Sequence, residues 1–363
     1  MSQTTATELC PGCAEAINTD DAFCEGCGHR LSAPAAPEAL PVPKTAHVPE
    51  NPPAPETQCA WCPEPVVDGY CVACGMSQPR EGDHIETSTR YAAGVCDIGR
   101  RYRTNQDFLA VLSAHAGHRP LVAAVVCDGV SSSPNSEVAA QAAARAGAES
   151  LVTEFHSDGD GQRATGTALT TAATAAADLA NSEDNAPACT YVSAIVAGPE
   201  PTTATTDPAS ATEHTITVGW VGDSRAYWVS AADSVPSAVL TRDHSWAEYM
   251  IAGEALSPEE AYAAPHSGAL VGWLGADAGE IEGHVVTVPV RGPGALVLCS
   301  DGLWNYLPEA EQMATAVPEV TRDPLAAAQS YVHIANEAGG RDNISVIVIP
   351  VPLRPTPQGD PPR

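Results

Sequence analysis

Basic residues are scarce in this 363-residue chain: 17 Lys and Arg stand against 45 Asp and Glu, a formal charge of −28. Such a field repels phosphate backbones and anionic lipid surfaces, so neither nucleic acid nor membrane is an expected partner. It attracts divalent cations. Aromatic side chains are also few, at 5% of the chain, which suits closely packed alanine-rich helices better than an aromatic binding surface. No apolar run approaches the ~20 residues that span a bilayer. The opening MSQTTATELCPGC lacks the basic-then-apolar pattern of a secretory leader, so a cytoplasmic location is expected.

Cysteine is not lacking, and its 12 copies fall into two groups. Cys96, Cys127, Cys189 and Cys299 sit singly beside apolar residues and read as reduced core thiols. The other eight form four Cys-x-x-Cys pairs: Cys10, Cys13, Cys24 and Cys27, then Cys59, Cys62, Cys71 and Cys74. One pair grips a face of a tetrahedral ion and a second pair closes it, so each set is expected to hold one structural zinc. The segments between the pairs are too short for a hydrophobic core, and metal binding would drive their folding. A redox Cys-x-x-Cys lacks its βαβ context here. The arrangement resembles the double zinc ribbon found at the N-termini of many bacterial proteins. With few basic residues in it, docking or a purely structural role is expected rather than nucleic-acid binding.

The expected layout is a first ribbon over 1–31, a proline-rich disordered linker over 32–57 and a second ribbon over 58–80. A large domain over 90–351 and a disordered tail over 352–363 follow. In the large domain, apolar and alternating runs predict strands at 91–98, 106–112, 120–127, 189–197, 214–222, 224–230, 284–290, 294–300 and 343–350. Helices are predicted at 136–155 and 162–181, with shorter ones near 246–252, 308–316 and 323–338. The stretch 199–214, PEPTTATTDPASATEH with its neighbour, reads as a long mobile hairpin loop. Strands in runs and helices in pairs imply an α+β fold: two packed, mainly antiparallel β-sheets flanked by helices, an αββα sandwich preceded by the small zinc-ribbon module.

Aspartates recur where these strands meet loops: Asp107 in NQDFLAV, Asp128 in VVCDGV, Asp223 in WVGDSRAY, Asp301 in LCSDGLW and Asp342 in GGRDNISVIV. A single Asp-Gly is ordinarily a turn. Five carboxylates at buried strand ends, with no basic partner inside the strands, are costly unless they bind metal or share protons. Oxygen-only ligands select hard ions, Mg²⁺ or Mn²⁺. Glycine after aspartate lets a backbone carbonyl reach such an ion. Two such ions close together activate water and clamp a phosphoryl group.

The series RTNQD, VVCDGV, CTYVSAIV, WVGDSRAYWV, LTRDHS, LCSDGLWNYL and GGRDNISVIV resembles, in this order, the motifs of the metal-dependent serine/threonine protein phosphatases, the PPM or type 2C family. The likeness spans about 91–350. It implies hydrolysis of phosphoserine and phosphothreonine by a hydroxide bridging two Mn²⁺ or Mg²⁺ ions, without a phosphoenzyme. By the same resemblance, Asp128 bridges the two ions, the Gly129 carbonyl reaches the second, and Asp301 and Asp342 bind the first. Gln106 stands where glutamate is usual and would act through water; Asp107 would orient metal-bound waters; Asp223 matches a weaker third site.

Besides Gln106, the chain departs from the family pattern at three places. Val130 replaces a histidine proposed in many members as general acid, and Asn305 replaces an aspartate of the third site. Tyr102 occupies the position of the arginine that holds substrate phosphate, with Arg101 and Arg103 flanking it. In an extended chain neighbours face opposite ways, so the two arginines would share the face away from Tyr102. Ser224, His244 and Asn343 read as structural. The resemblance implies phosphoprotein partners, substrates of a serine/threonine kinase; oligomeric state is left open. The competing expectation is a catalytically weak phosphoprotein-binding scaffold that docks through the ribbons.

Overall fold

The computed structural model describes residues 58–355, apart from 60, 61, 68, 76, 77, 79, 81, 183–185, 200–213, 233, 280–282 and 291, together with two strands at 8–9 and 16–17. The chain divides into two compact units, Met1–Ser77 and Gln78–Arg363. In the first, β1 (Glu8–Leu9) pairs with β2 (Ala16–Ile17) and β3 (Val66–Val67) with β4 (Tyr70–Cys71), both antiparallel. The first cysteine set, the proline-rich linker, most of the 199–214 stretch and the tail beyond 355 lie outside the described residues.

The second unit begins with β5 (His84–Ser88), β6 (Ala93–Asp97), β7 (Phe108–Ala116) and β8 (Arg119–Cys127). Helices α1 (Ser136–Asp158) and α2 (Gly161–Ala177) follow, then β9 (Tyr191–Ala197), β10 (His214–Val221), β11 (Arg225–Ser230) and β12 (Ala238–Val239). Two short helices, α3 (Trp246–Ala252) and α4 (Pro258–Ala263), lead to β13 (His284–Val290) and β14 (Gly294–Cys299). The chain ends through α5 (Asp301–Trp304), α6 (Ala310–Ala316), α7 (Pro324–Glu337) and β15 (Ile344–Val351).

The strands form a five-stranded sheet, β13-β10-β9-β8-β7, and a six-stranded sheet, β12-β11-β14-β15-β6-β5. Every pairing in both is antiparallel. All nine strands expected from the apolar pattern are present, with ends shifted by up to four residues.

The reason the central strands lack alternation is visible in β8. Val122, Ala124 and Val126 face the layer between the sheets, with Leu296, Leu298, Ile347 and Ile349 opposite. Leu121, Ala123, Val125 and Cys127 face the other way, onto the alanines of α1 and α2. A strand covered on both faces reads as one apolar run. The six-stranded sheet is covered by α6 and α7, through Met313, Ala328 and Tyr331 against Tyr227, Val297 and Val346. Four layers result, helices outside two sheets.

Local signals set the helix ends. Asp160 accepts from the backbone N–H groups of Gln162 and Arg163 to start α2, and Asp323 does the same for Leu325 and Ala326 to start α7. Gly159, at φ 76°, closes α1. Four elements of the second unit were not expected: β5, β12, α4 and α5. The polar strand β5 (HIETS) extends the larger sheet ahead of residue 90, where the large domain was expected to start. The helix expected to run to 181 stops at Ala177. Among the described residues, no helix is long and apolar enough to cross a membrane.

Candidate active site

The strand register brings the five aspartates to one end of the sandwich. Asp107 immediately precedes β7 and Asp128 immediately follows β8, and these strands are paired Phe108 to Cys127. Asp223 lies two residues past β10, whose last residue, Val221, pairs with the first of β9. From the other sheet, Asp301 follows β14 and Asp342 precedes β15, with Cys299 paired to Val346. The two sheets are joined here by Ser300, whose hydroxyl donates to Asp107 Oδ2 at 2.7 Å.

Burial is the leading cause of a raised pKa at all five. It pushes Asp107 up to about 7, with Asp301 and Asp342 adding to the rise and the Ser300 hydroxyl opposing it. Asp223 is pushed up to about 8 by burial and then by Asp301 and Asp243. Asp301 reaches about 6 through burial and Asp342, offset by its approach to Asp128 and by Asn305. Asp128 is raised well above the carboxylate range by burial and by all four of the others. Asp342 is raised by burial, against bonds from the Asn343 N–H and Tyr102. Each carboxylate resists ionising beside its neighbours, and a divalent cation reverses that resistance.

The oxygens fit such a cation. Asp107 Oδ1 and Asp301 Oδ1 are buried without a hydrogen-bond partner, and the donor set is all oxygen, the preference of Mg²⁺ and Mn²⁺. The aspartates are nevertheless spread more widely than the cysteines discussed below: among the described residues, only the latter place three or more ligand atoms within 4.8 Å of one another.

The glycines beside two of the aspartates serve close packing, a role the Asp-Gly pattern alone did not reveal. A Cβ on Gly129 would lie 2.7 Å from the Gln106 carbonyl oxygen and 2.8 Å from Ser136 Oγ. A Cβ on Gly302 would collide with the Asn343 carbonyl. Each glycine lets two aspartate-bearing loops touch.

Gln106 is tied down on three sides. Its N–H donates to Asn343 Oδ1 at 2.8 Å, its Nε2 to Ser136 Oγ at 2.6 Å, and its Oε1 accepts from Ser131 at 3.4 Å. Asn343 is buried and also donates to the Ile98 carbonyl. The buried Ser224 hydroxyl meets Thr190 Oγ1 at 2.7 Å, which in turn accepts from the Asp128 N–H. His244 donates its backbone N–H to the Gly222 carbonyl and sets its ring edge-on to His284, a structural placement. Asn305 donates to Asp301 Oδ2 at 3.2 Å.

Tyr102 is half-buried beside Ser131 and Asp342, whereas Arg101 and Arg103 are exposed. The segment is a turn rather than the extended chain assumed from sequence, so the alternation of faces expected for Arg101, Tyr102 and Arg103 does not apply. A brace that sequence reading missed runs behind Asp223. Arg225 grips Asp243 with two bonds of 2.9 and 2.7 Å and lies 3.7 Å over the Trp304 ring. The Trp304 indole N–H donates to the Asp223 carbonyl at 2.8 Å.

In the first unit, Cys59, Cys62, Cys71 and Cys74 converge. Sulfur–sulfur separations of 3.4 Å (Cys62 to Cys71) and 3.8 Å (Cys59 and Cys62 to Cys74) are close to the ~3.8 Å edge of a tetrahedron with Zn–S near 2.3 Å. Cys71 Sγ accepts from the N–H groups of Ala73 and Cys74, each at 3.4 Å, and these bonds bring its pKa down to about 6. Thiolate character is what a zinc ligand requires.

A family model described as protein phosphatase 2C matches residues 100–332. Over 134 residues the chain is 33% identical to the serine/threonine phosphatase stp of Listeria innocua, covering 37% of this chain and 51% of that protein. Over 130 residues it is 32% identical to the protein phosphatase PhpP of Streptococcus pneumoniae, covering 36% and 50%. The chain thus spans about half the length of these curated relatives. The solved serine/threonine phosphatase of S. agalactiae shares the fold, with a TM-score of 0.53 at 23% identity, over 71% of this chain and 99% of that one.

Proposed function

Because this chain belongs to the protein phosphatase 2C family, we propose that it hydrolyses phosphoserine and phosphothreonine in proteins at the aspartate-lined end of its sandwich. The observation that carries the reading is the convergence of five raised-pKa aspartates from both sheets with two buried oxygens lacking partners. Asp128, Asp301 and Asp342, with the Gly129 carbonyl, would hold two Mn²⁺ or Mg²⁺ ions, Gln106 would reach the second through water, and Asp223 would serve a weaker third. Bound there, the ions supply activated water and neutralise phosphoryl charge.

The chain's own residues do the positioning. Asp107, fixed by Ser300, would orient metal-bound water. The Gln106 and Asn343 bonds set the loop that carries Asp107, and the Thr190–Ser224 pair holds the Asp128 backbone. Val130 offers no proton to the leaving alkoxide, so solvent supplies it. Tyr102 presents a neutral hydroxyl to substrate phosphate. Partners are phosphoproteins made by a serine/threonine kinase, met in the cytoplasm. Hydrolysis of a chromogenic phosphate ester in Mn²⁺, abolished by chelator and restored by Mn²⁺, is the expected result. Phosphopeptide binding without turnover in saturating Mn²⁺ would instead favour a scaffold.

The N-terminal unit is proposed to be a double zinc ribbon, over 1–31 and 58–80, joined by the proline-rich linker and folding apart from the phosphatase domain. The sulfur geometry at Cys59, Cys62, Cys71 and Cys74 supports its second half. Elemental analysis of the full chain is expected to find two zinc ions, falling to one in Cys71→Ser with Mn²⁺-dependent hydrolysis retained. A zinc content unchanged by Cys71→Ser would refute the site.

A further inference from the structure

Three of the chain's six tryptophans line a single cavity. It has a volume of about 780 Å³, within the range of ligand-binding clefts. Trp220, at the end of β10, stacks on His284, at the start of β13, with ring centres 5.3 Å apart and planes 28° from parallel. Opposite, Trp246, Tyr249 and Met250 follow helical spacing along one side of α3, and Trp273 completes the lining. The rim is apolar and open: Tyr249 is 67% exposed and Val271 45%.

The charged residues of the lining are already matched. Glu248 pairs with Arg242 and accepts from Tyr262, and Asp243 pairs with Arg225. With its carboxylates engaged, the cavity favours an uncharged ring over a lysine or arginine, since stacked and edge-on aromatic contacts reward a flat apolar group.

Its walls are continuous with the aspartate cluster on two sides. Trp273 precedes Leu274, whose backbone exchanges bonds of 3.0 and 2.8 Å with Cys189. Cys189 in turn bridges Gly129, next to Asp128. Val221, also in the lining, is two residues from Asp223, at most roughly 7 Å along the chain. A peptide whose phosphate lies at the aspartates therefore passes the mouth of the cavity within a few residues.

We propose that this cavity receives an aromatic side chain of the phosphoprotein substrate, within roughly four residues of the phosphorylated position. The inference rests on the phosphatase reading above and adds a substrate class to it. A ring seated between Trp273 and the α3 side of the cavity anchors the peptide independently of its phosphate, which Tyr102 holds only weakly.

The test uses the full chain in saturating Mn²⁺ and phosphoserine peptides carrying phenylalanine or alanine at each of the four positions on either side. Phenylalanine at one or more positions is expected to raise kcat/KM about tenfold, through KM, and to shift the protein's tryptophan emission on binding. Trp273→Ala, and Tyr249→Ala at the exposed rim, are each expected to shrink that preference. Equal values for phenylalanine and alanine peptides at every position, or a preference that both variants leave intact, overturns the docking site. Phosphate release from the alanine peptides reports separately on the phosphatase reading: its absence sinks that reading, whereas its presence with no preference sinks only the aromatic site.

Discussion

Asp128→Asn and Asp301→Asn are each expected to lower Mn²⁺-dependent phosphate release by about a thousandfold. A divalent ion contributes several kcal/mol of transition-state charge stabilisation, and each ~1.4 kcal/mol is a factor of ten in rate. Asp128 is the member whose charge is opposed by all four of the other aspartates. Its neutral isostere keeps the shape while removing the charge that most needs a cation. Asp301 has a buried oxygen with no other partner, so the amide forfeits a ligand and gains nothing. Fold should survive both changes, because the bonds that join the two sheets here are made by Ser300 and Asn343 rather than by either carboxylate. Steady-state rates at several Mn²⁺ concentrations, with circular dichroism as the folding check, decide it. Turnover within a few-fold of the parent in either variant would remove the di-metal assignment.

The second large effect is expected from Tyr102→Arg, which should lower KM for a phosphopeptide about tenfold. A charged bidentate pair with phosphate is roughly twice as strong as the neutral bond a tyrosine hydroxyl makes. Tyr102 is half-buried, and its hydroxyl feels Ser131, Asp342, Asp301 and Asp128, so a side chain at this position already lies at the site. Arg101 and Arg103 are exposed, and their alanine variants should change KM by less than about twofold, as surface substitutions do. An arginine beside Asp342 also competes with the cation, so the Mn²⁺ concentration for half-maximal rate should rise in the same variant. A sharp KM rise in either alanine variant, with no gain from Tyr102→Arg, would show that a flanking arginine swings in to hold phosphate.

The elements legible in the sequence were those whose burial is simple. Strands covered on both faces, such as LVAAVVC in β8, appear as unbroken apolar runs, and alanine-rich helices packed on them appear as such. The strand-end aspartates stood out because the same placement recurs five times, although Arg225 in β11 stands two residues from Asp223 and was overlooked as a basic neighbour. Elements that bury little left no pattern: β5 alternates polar residues along a sheet edge, β12 has two residues, and α5 is one turn. The brace of Arg225, Asp243 and Trp304 depends on three motifs meeting in space, which no spacing encodes. The low aromatic content argued against an aromatic binding surface, yet Trp220, Trp246 and Trp273, distant in sequence, gather around one cavity. An average over the chain carries no information about where rare residues meet.

The aspartates come from both sheets: Asp107, Asp128 and Asp223 from the five-stranded one, Asp301 and Asp342 from the six-stranded one. Cations held among them would therefore fasten the two halves of the sandwich at its open end, as well as serve the chemistry. Linkage then makes fold stability a readout of metal supply, worth about 2.7 kcal/mol when free ion stands a hundredfold above its dissociation constant. On the proposed reading, the end that would loosen first under metal starvation is the one substrate would enter, so loss of activity and loss of rigidity would arrive together.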